Sequence, residues 1–363
     1  MITRTIFPGK YIQGPGTLAQ LGKEAAHFGK HAFILCSPSV YKGIIPGIKK
    51  AVSQDIQITV EKFGRECSDK EIARVTRLAK ASACDVIIGM GGGKTLDTAR
   101  ITADSLKLPA INVPTIAATD APTSAVSVIY NEDGSFDRVV FLAQNPHVVL
   151  VDTTVIANAP VRFLVSGMGD ALATWFEAES CSGSYSLNVA GGHASRTALA
   201  LARLCYDTLL EFGEAAKISN ETRCVTPAFE HVVEANILLS GLGFESGGIG
   251  AAHAIHNGLT ALHQTHGMFH GEKVAFGLLT SLFLTDKPVN TIDEVYYFCE
   301  TVGLPTTFAE LGLPAKISDE ELMKAARKAC LPGESIHNEA VPVTPANVLS
   351  AMKVANAYGL KRK

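Results

Sequence analysis

The chain has 363 residues, a formal net charge of -3, 47% apolar and 18% charged side chains. One hydrophobic core usually stops growing at about 250–300 residues, so the length predicts two domains. The near-neutral balance argues against a strongly basic nucleic-acid surface, and the sequence contains no run of about 18 apolar residues that could span a membrane.

The first residues, MITRTIFPGKYIQGPG, lack the apolar stretch of a secretory signal. Residues 31–37 (HAFILCS) read as a strand buried on both faces, and Ile56 to Val60 as a second apolar run. Between 69 and 82, Ile72, Val75, Leu78 and Ala79 recur at helical spacing, with Asp69 at the N-cap. Residues 84–104 follow as CDVIIGMGGGKTLDTARITAD. Val86 to Ile88 read as a central strand, Gly89, Gly91, Gly92 and Gly93 as a tight turn, and Lys94-Thr95 as the start of a helix. Exposed amides and the positive end of the helix dipole would then face a phosphate. The pattern is G-x-G-x-x-K, neither the usual dinucleotide fingerprint nor a Walker A, and a plain structural turn stays open.

Residues 110–124 give another strand and a polar loop, at the strand end where open α/β sheets hold ligands. Asp120 is the one acid in that loop, and a turn-forming aspartate is its alternative reading. Residues 125–142 read as a hairpin around Asp133-Gly134, and 147–152 as a last strand. Past Pro160 helical patterns take over, at 168–180 and 189–212. The expected organisation is an α/β domain with a parallel sheet over 1–160 and an all-helical domain over 161–363.

Eight cysteines stand singly, at Cys36, Cys67, Cys84, Cys181, Cys205, Cys224, Cys299 and Cys330. Without a C-x-x-C pair they read as free thiols in a reducing cytoplasm. Five of the eleven histidines fall between Ser240 and Val274, among glycines: His253, His256, His263, His266 and His270. Such a stretch is either a metal or proton-transfer site or a small-residue helix contact with histidines on its outer side. Asp170, among apolar neighbours early in a helix, is either a partner of the helix dipole or a ligand. One carboxylate with two histidines is a recognised open zinc arrangement. His256 shares a helical face with His253, as a partner to the ligands, a proton relay or simply a polar helix residue. His263 and His266 read as loop residues.

PGKYIQG (8–14), GMGGGKTLDTA (89–99), PTIAATDAPTSAVSVIY (114–130), GDALATWFEA (169–178), GFESGG (243–248), HNGLTA (256–261), HGEKVAFG (270–277) and GESIHN (333–338) resemble, in order and spacing, the glycerol dehydrogenases of the iron-containing, group III alcohol dehydrogenase superfamily. The resemblance covers nearly the whole chain. It implies the architecture that superfamily shares with dehydroquinate synthase. It also implies metal ligation by Asp170, His253 and His270, with Thr174 where the iron enzymes carry a further histidine, hence one zinc ion per subunit. Gly93, Lys94, Thr115, Ala118, Ser124, Val126 and Tyr130 would contact NAD, beside Gly91, Gly92 and Thr95 of the glycine turn, and Asp120 would hold a glycerol hydroxyl. The implied enzyme is cytoplasmic and homo-oligomeric, an octamer by family resemblance. It would bind a small polyol, with neither nucleic acid nor membrane as a partner, and oxidise it in a cleft between the domains.

One departure stands at Ser37, where close relatives carry the aspartate that accepts hydrogen bonds from the adenosine ribose. Lys42 is the only cation in the residues that follow it, 38–42. The rival readings are another 1,2-diol dehydrogenase, a dehydroquinate-synthase-like lyase and a non-enzymatic zinc or nucleotide binder. The lyase would need several cations for a phosphate-bearing substrate, and residues 240–274 contain only Lys273.

Overall fold

The computed structural model describes residues 1–314 and 316–363. They form two compact units, one of Phe7–Pro160 with Thr222–Val225, the other of Met1–Ile6, Val161–Glu221 and Thr226–Lys363.

The first unit is built on six parallel strands: β1 (Tyr11–Gly14), β2 (His31–Cys36), β3 (Gln57–Lys62), β4 (Val86–Gly91), β5 (Ala110–Pro114) and β8 (Val148–Asp152). They lie in the order β1-β8-β5-β4-β2-β3. Every residue of β4 and β8 is buried, as a sheet covered on both faces requires. From β2 the chain runs outward to β3, then returns to place β4 on the other side of β2. Cys36 therefore pairs with Lys62 on one side and with Met90 on the other. That reversal opens a crevice beyond the carboxyl ends of β2 and β4, where doubly wound sheets bind ligands. β6 (Val126–Tyr130) and β7 (Phe136–Phe141) form the expected antiparallel hairpin. Its turn is closed by Gly134 N–H donating to the Asn131 carbonyl at 2.9 Å.

Some boundaries differ from the sequence reading. The helix Asp69–Ala81 is capped by Ser68, whose side chain accepts from Glu71 N–H at 3.4 Å, and Asp69 is already inside its first turn. β4 continues to Gly91, so the glycine turn is shorter than expected and Gly89 is a strand residue. A Cβ on Gly89 would lie 2.8 Å from Ala99 Cβ, so the glycine is there for close packing of the following helix, Gly93–Leu106.

The second unit is helical, with long helices at Val161–Gly183, Arg196–Glu221, His270–Leu284 and Pro345–Lys361. The helix expected from 189 begins only at Arg196, because the preceding residues turn at Gly191, with φ at +78°. Asn188 holds that turn by accepting from Gly192 N–H at 2.9 Å. Residues 1–6 were expected in the first unit. They belong to the second because Arg4 N–H donates to the His193 carbonyl at 3.2 Å and Asn188 Nδ2 donates to the Arg4 carbonyl at 2.8 Å. All eight cysteines are free thiols. Among the described residues, no helix is long and apolar enough to cross a membrane.

Candidate metal centre and nucleotide cavity

Three helices of the second unit bring Asp170, His253 and His270 together, and one ligand atom from each lies within 4.8 Å of the others. Glycines allow this convergence. A Cβ on Gly271 would stand 1.7 Å from the Ser166 carbonyl oxygen, and one on Gly169 would stand 2.4 Å from the Gly271 carbonyl oxygen. Only bare backbone lets the first turn of His270–Leu284 lie that close to Asp170. Likewise, a Cβ on Gly277 would stand 2.3 Å from the Ala252 carbonyl oxygen, next to His253. A bidentate ion pair from Arg162 to Glu272, at 2.6 and 2.8 Å, ties the two helix starts together. Glu272 also accepts from Phe269 N–H at 2.7 Å, beside His270.

Asp170 is 1% exposed, and neither of its carboxylate oxygens has a hydrogen-bond partner among the described residues. The Nε2 atoms of His253 and His270 approach its Oδ1 to 3.3 and 3.1 Å. What those nitrogens carry follows from the other side of each ring. Glu177 accepts from both His253 N–H, at 2.9 Å, and His253 Nδ1, at 2.6 Å. A carboxylate only accepts, so Nδ1 holds a proton, and Nε2 is the nitrogen that presents a lone pair to a metal once the ring is neutral. For His270 the chain of bonds is longer. Asn257 Nδ2 donates to Glu334 at 2.9 Å, which turns Asn257 Oδ1 toward His256 Nδ1 at 3.1 Å. His256 Nδ1 is thus the donor and its Nε2 the acceptor for His270 Nδ1, at 3.1 Å. His270 Nε2 is left with its lone pair facing Asp170. Two lone pairs and an unpartnered carboxylate converge on one point, and such a donor set fits a divalent cation.

The charge states agree. Burial opposes charge on Asp170, yet the two facing imidazoles, that of His270 foremost, hold its carboxyl well below the usual range. Burial also opposes charge on His253, and Glu177 with Asp170 overcomes it, raising that imidazole well above its ordinary value. The site therefore calls for positive charge, from a proton or a metal. His256 is pushed well below its ordinary value by burial and by the charges of His270, Lys273 and His253, so it is neutral at pH 7 and able to accept. Thr174 stands four residues after Asp170 but faces Ser240, with 2.9 Å between their hydroxyls. His263 and His266 lie in and beside a short 3-10 turn and are not members of the Asp170, His253 and His270 group.

In the first unit, Ser37, Gly92, Gly93, Lys94 and Thr95 line one cavity of about 450 Å³ at the reversal of the sheet. No side chain caps the helix that starts at Gly93, and a Cβ on Gly93 would have nothing within 4 Å. The Thr95 and Leu96 amides of that turn donate to the Gly92 carbonyl, at 3.0 and 3.2 Å, so the amides left over for a phosphate are those of Gly93 and Lys94, where a helix has no internal acceptor. Gly91 lies behind them at the end of β4, with Thr115 N–H donating to its carbonyl at 3.1 Å. Lys94 is ion-paired with Glu66 and sits 4.3 Å above the Tyr130 ring.

Ser124, Val126 and Ala118 do not line this cavity. Arg100, 2% exposed, organises their loop by donating to the carbonyls of Ala121, Ser124 and Val126, and it pairs with Asp97. Asp120 precedes the 3-10 turn Ala121–Thr123, and its side chain gives that turn no capping bond. Sequence reading missed Glu177, Asn257, Glu334, Arg162 and Arg100. Glu177 alone left a signal, seven residues after Asp170 and so on the same face of the helix.

Residues 8–153 match the model of the iron-containing alcohol dehydrogenases. Glycerol dehydrogenase of Thermotoga maritima is 58% identical over 363 residues, covering 100% of this chain and 99% of that one. The chain belongs to the iron-containing alcohol dehydrogenase family. The glycerol dehydrogenase of Citrobacter freundii is 47% identical over 97% of this chain and 96% of its own. The crystal structure of the Schizosaccharomyces pombe glycerol dehydrogenase superposes with a TM-score of 0.95 at 42% identity, over 99% of this chain and 92% of that one. That superposition spans both the unit with the parallel sheet and the helical unit.

Proposed function

We propose that the chain oxidises glycerol to dihydroxyacetone with NAD as hydride acceptor and one zinc ion per subunit held by Asp170, His253 and His270. The convergence of these three donors in a chain so similar to glycerol dehydrogenases carries the reading. Zinc is preferred over iron because Thr174, where a fourth ligand would stand, is occupied with Ser240. When bound, such an ion acts as a Lewis acid and brings the ionisation of an alcohol toward neutral pH.

The protein's own contribution is position and charge. Asp170 would neutralise part of the cation's charge, and Glu177 and His256 hold the two imidazoles with Nε2 inward. His256 uses both ring nitrogens in doing so, which supports a positioning role over that of a proton relay. The first turn of Gly93–Leu106 would receive the dinucleotide phosphates, and Ser37, on the wall of the same cavity, would face the adenosine end. Thr115, Ala118, Ser124, Val126 and Tyr130 would line the path of the cofactor, and Asp120 would accept a hydrogen bond from a glycerol hydroxyl. The same reading makes the enzyme a cytoplasmic homo-oligomer. The test is absorbance at 340 nm when the purified protein, its metal content measured, meets NAD and glycerol. Failure to form NADH with glycerol or any 1,2-diol, at full metal occupancy, would refute it.

A further inference from the structure

The cavity beyond β2, β3 and β4 contains a cation that the sequence neighbourhood of Ser37 did not suggest. Its lining comprises Ser37, Pro38, Ser39, Phe63, Arg65, Gly92, Gly93, Lys94 and Thr95. None of these is acidic. Lys94 is engaged by Glu66, so its charge is largely spent locally. Arg65 is different. The nearby carboxylates are committed elsewhere, Glu61 and Glu71 to Arg74 and Glu66 to Lys94. Among the described residues, no ion pair involves Arg65. Its backbone sits at φ +95°, a conformation that strains any residue but glycine. The chain thus keeps an unpaired guanidinium at a strained position on the wall of a cavity without carboxylates.

The strand ends bring the other groups beside it. Cys36 and Lys62 pair across β2 and β3, so Ser37 follows one strand end and Phe63-Gly64-Arg65 the other. Phe63 N–H donates to the Cys36 carbonyl at 2.8 Å, and the Ser37 and Ser39 hydroxyls lie 3.1 Å apart. Two hydroxyls and a forked cation around a space open to an anion are the donors a phosphate monoester takes. An aspartate at 37 would have repelled such a group.

We infer that Ser37, Ser39 and Arg65 form a receptor for the 2′-phosphate of NADP, so that this chain binds NADP as well as NAD. The inference rests on the dinucleotide reading of the cavity. Arg65 supplies charge and a bidentate fork, the serines supply hydroxyl donors, and the amides at Gly93 remain for the pyrophosphate.

Calorimetric titration of the metal-loaded protein with two fragments, adenosine 2′,5′-bisphosphate and adenosine 5′-monophosphate, tests the inference without turnover. The bisphosphate should bind roughly ten- to a hundredfold more tightly, the range for charge-assisted hydrogen bonds. Arg65→Gly should abolish most of that advantage, and because glycine relieves the φ strain a loss cannot be assigned to misfolding. Ser37→Asp should reverse the preference, and Arg65→Lys should keep part of it. Equal binding of the two fragments by the wild type, or an advantage that survives in Arg65→Gly, overturns the receptor but leaves the dinucleotide reading standing. Binding of neither fragment overturns both.

Discussion

Glu177→Gln tests how the metal centre is put together. Glu177 accepts two hydrogen bonds from one residue, at 2.9 Å from His253 N–H and at 2.6 Å from His253 Nδ1. Glutamine has the same shape but one acceptor and one donor end. If its oxygen faces Nδ1, its NH2 group confronts the backbone N–H and a buried donor loses its partner. If its oxygen faces the backbone, its NH2 group requires a lone pair at Nδ1. The imidazole proton then moves to Nε2, and His253 can no longer bind a metal. The first outcome costs about 1–3 kcal/mol for the orphaned buried donor. The second removes one ligand of three. Loss of such an orienting partner typically lowers metal affinity about 10–100-fold, equivalent to about 1.4–2.7 kcal/mol. The assay is competition for zinc against a chromophoric chelator, with elemental analysis after dialysis and far-UV circular dichroism to confirm the fold. Activity should fall in proportion to occupancy and recover at high zinc if the first outcome holds. A zinc dissociation constant within twofold of the wild type would refute the tautomer assignment for His253.

His270→Ala should abolish metal binding and activity with the helical fold retained, and a fully loaded, active variant would remove His270 from the site. In the wild type, His253 holds its proton above the ordinary imidazole value and must give it up to bind metal, so affinity should fall progressively as pH drops through that raised value toward 6, with proton release on metal binding. A dissociation constant that does not change between pH 8 and pH 6 would contradict this. Asp120→Asn should lower kcat/KM for glycerol with metal content intact; loss of metal in step with activity would instead make Asp120 a ligand. Gly271→Ala would press a methyl group onto the Ser166 carbonyl oxygen, which must move away by more than 1 Å, and overpacking of this kind costs roughly 1–3 kcal/mol or more. Its metal affinity should fall by more than its thermal stability suggests, because His270 immediately precedes it; wild-type affinity would show that the helices shift without moving the ligand.

Much of the first unit was legible because its signals are local. Short apolar runs between glycine and charged turns mark strands that must be covered on both faces, and the strand–glycine–helix order around Gly91 carries its own geometry. Asp170, His253 and His270 were legible only through the resemblance of whole motifs, since 83 and 17 positions separate them along the chain (253 − 170 and 270 − 253). Tertiary structure decided the rest. Nothing in composition or spacing says that Glu334 turns the amide of Asn257, which sets the proton on His256 and thereby the lone pair of His270. Hydrogen bonds of that kind depend on which helices touch, and the touching depends on Gly169, Gly271 and Gly277, whose missing side chains can be seen in the sequence but whose partners cannot. Arg65 makes the same point at the other site. In sequence it is 28 residues from Ser37, and only the parallel pairing of β2 with β3 sets both at one cavity. Residue types fixed which chemistry was available, and the crossing of helices and the order of strands chose which of those residues meet.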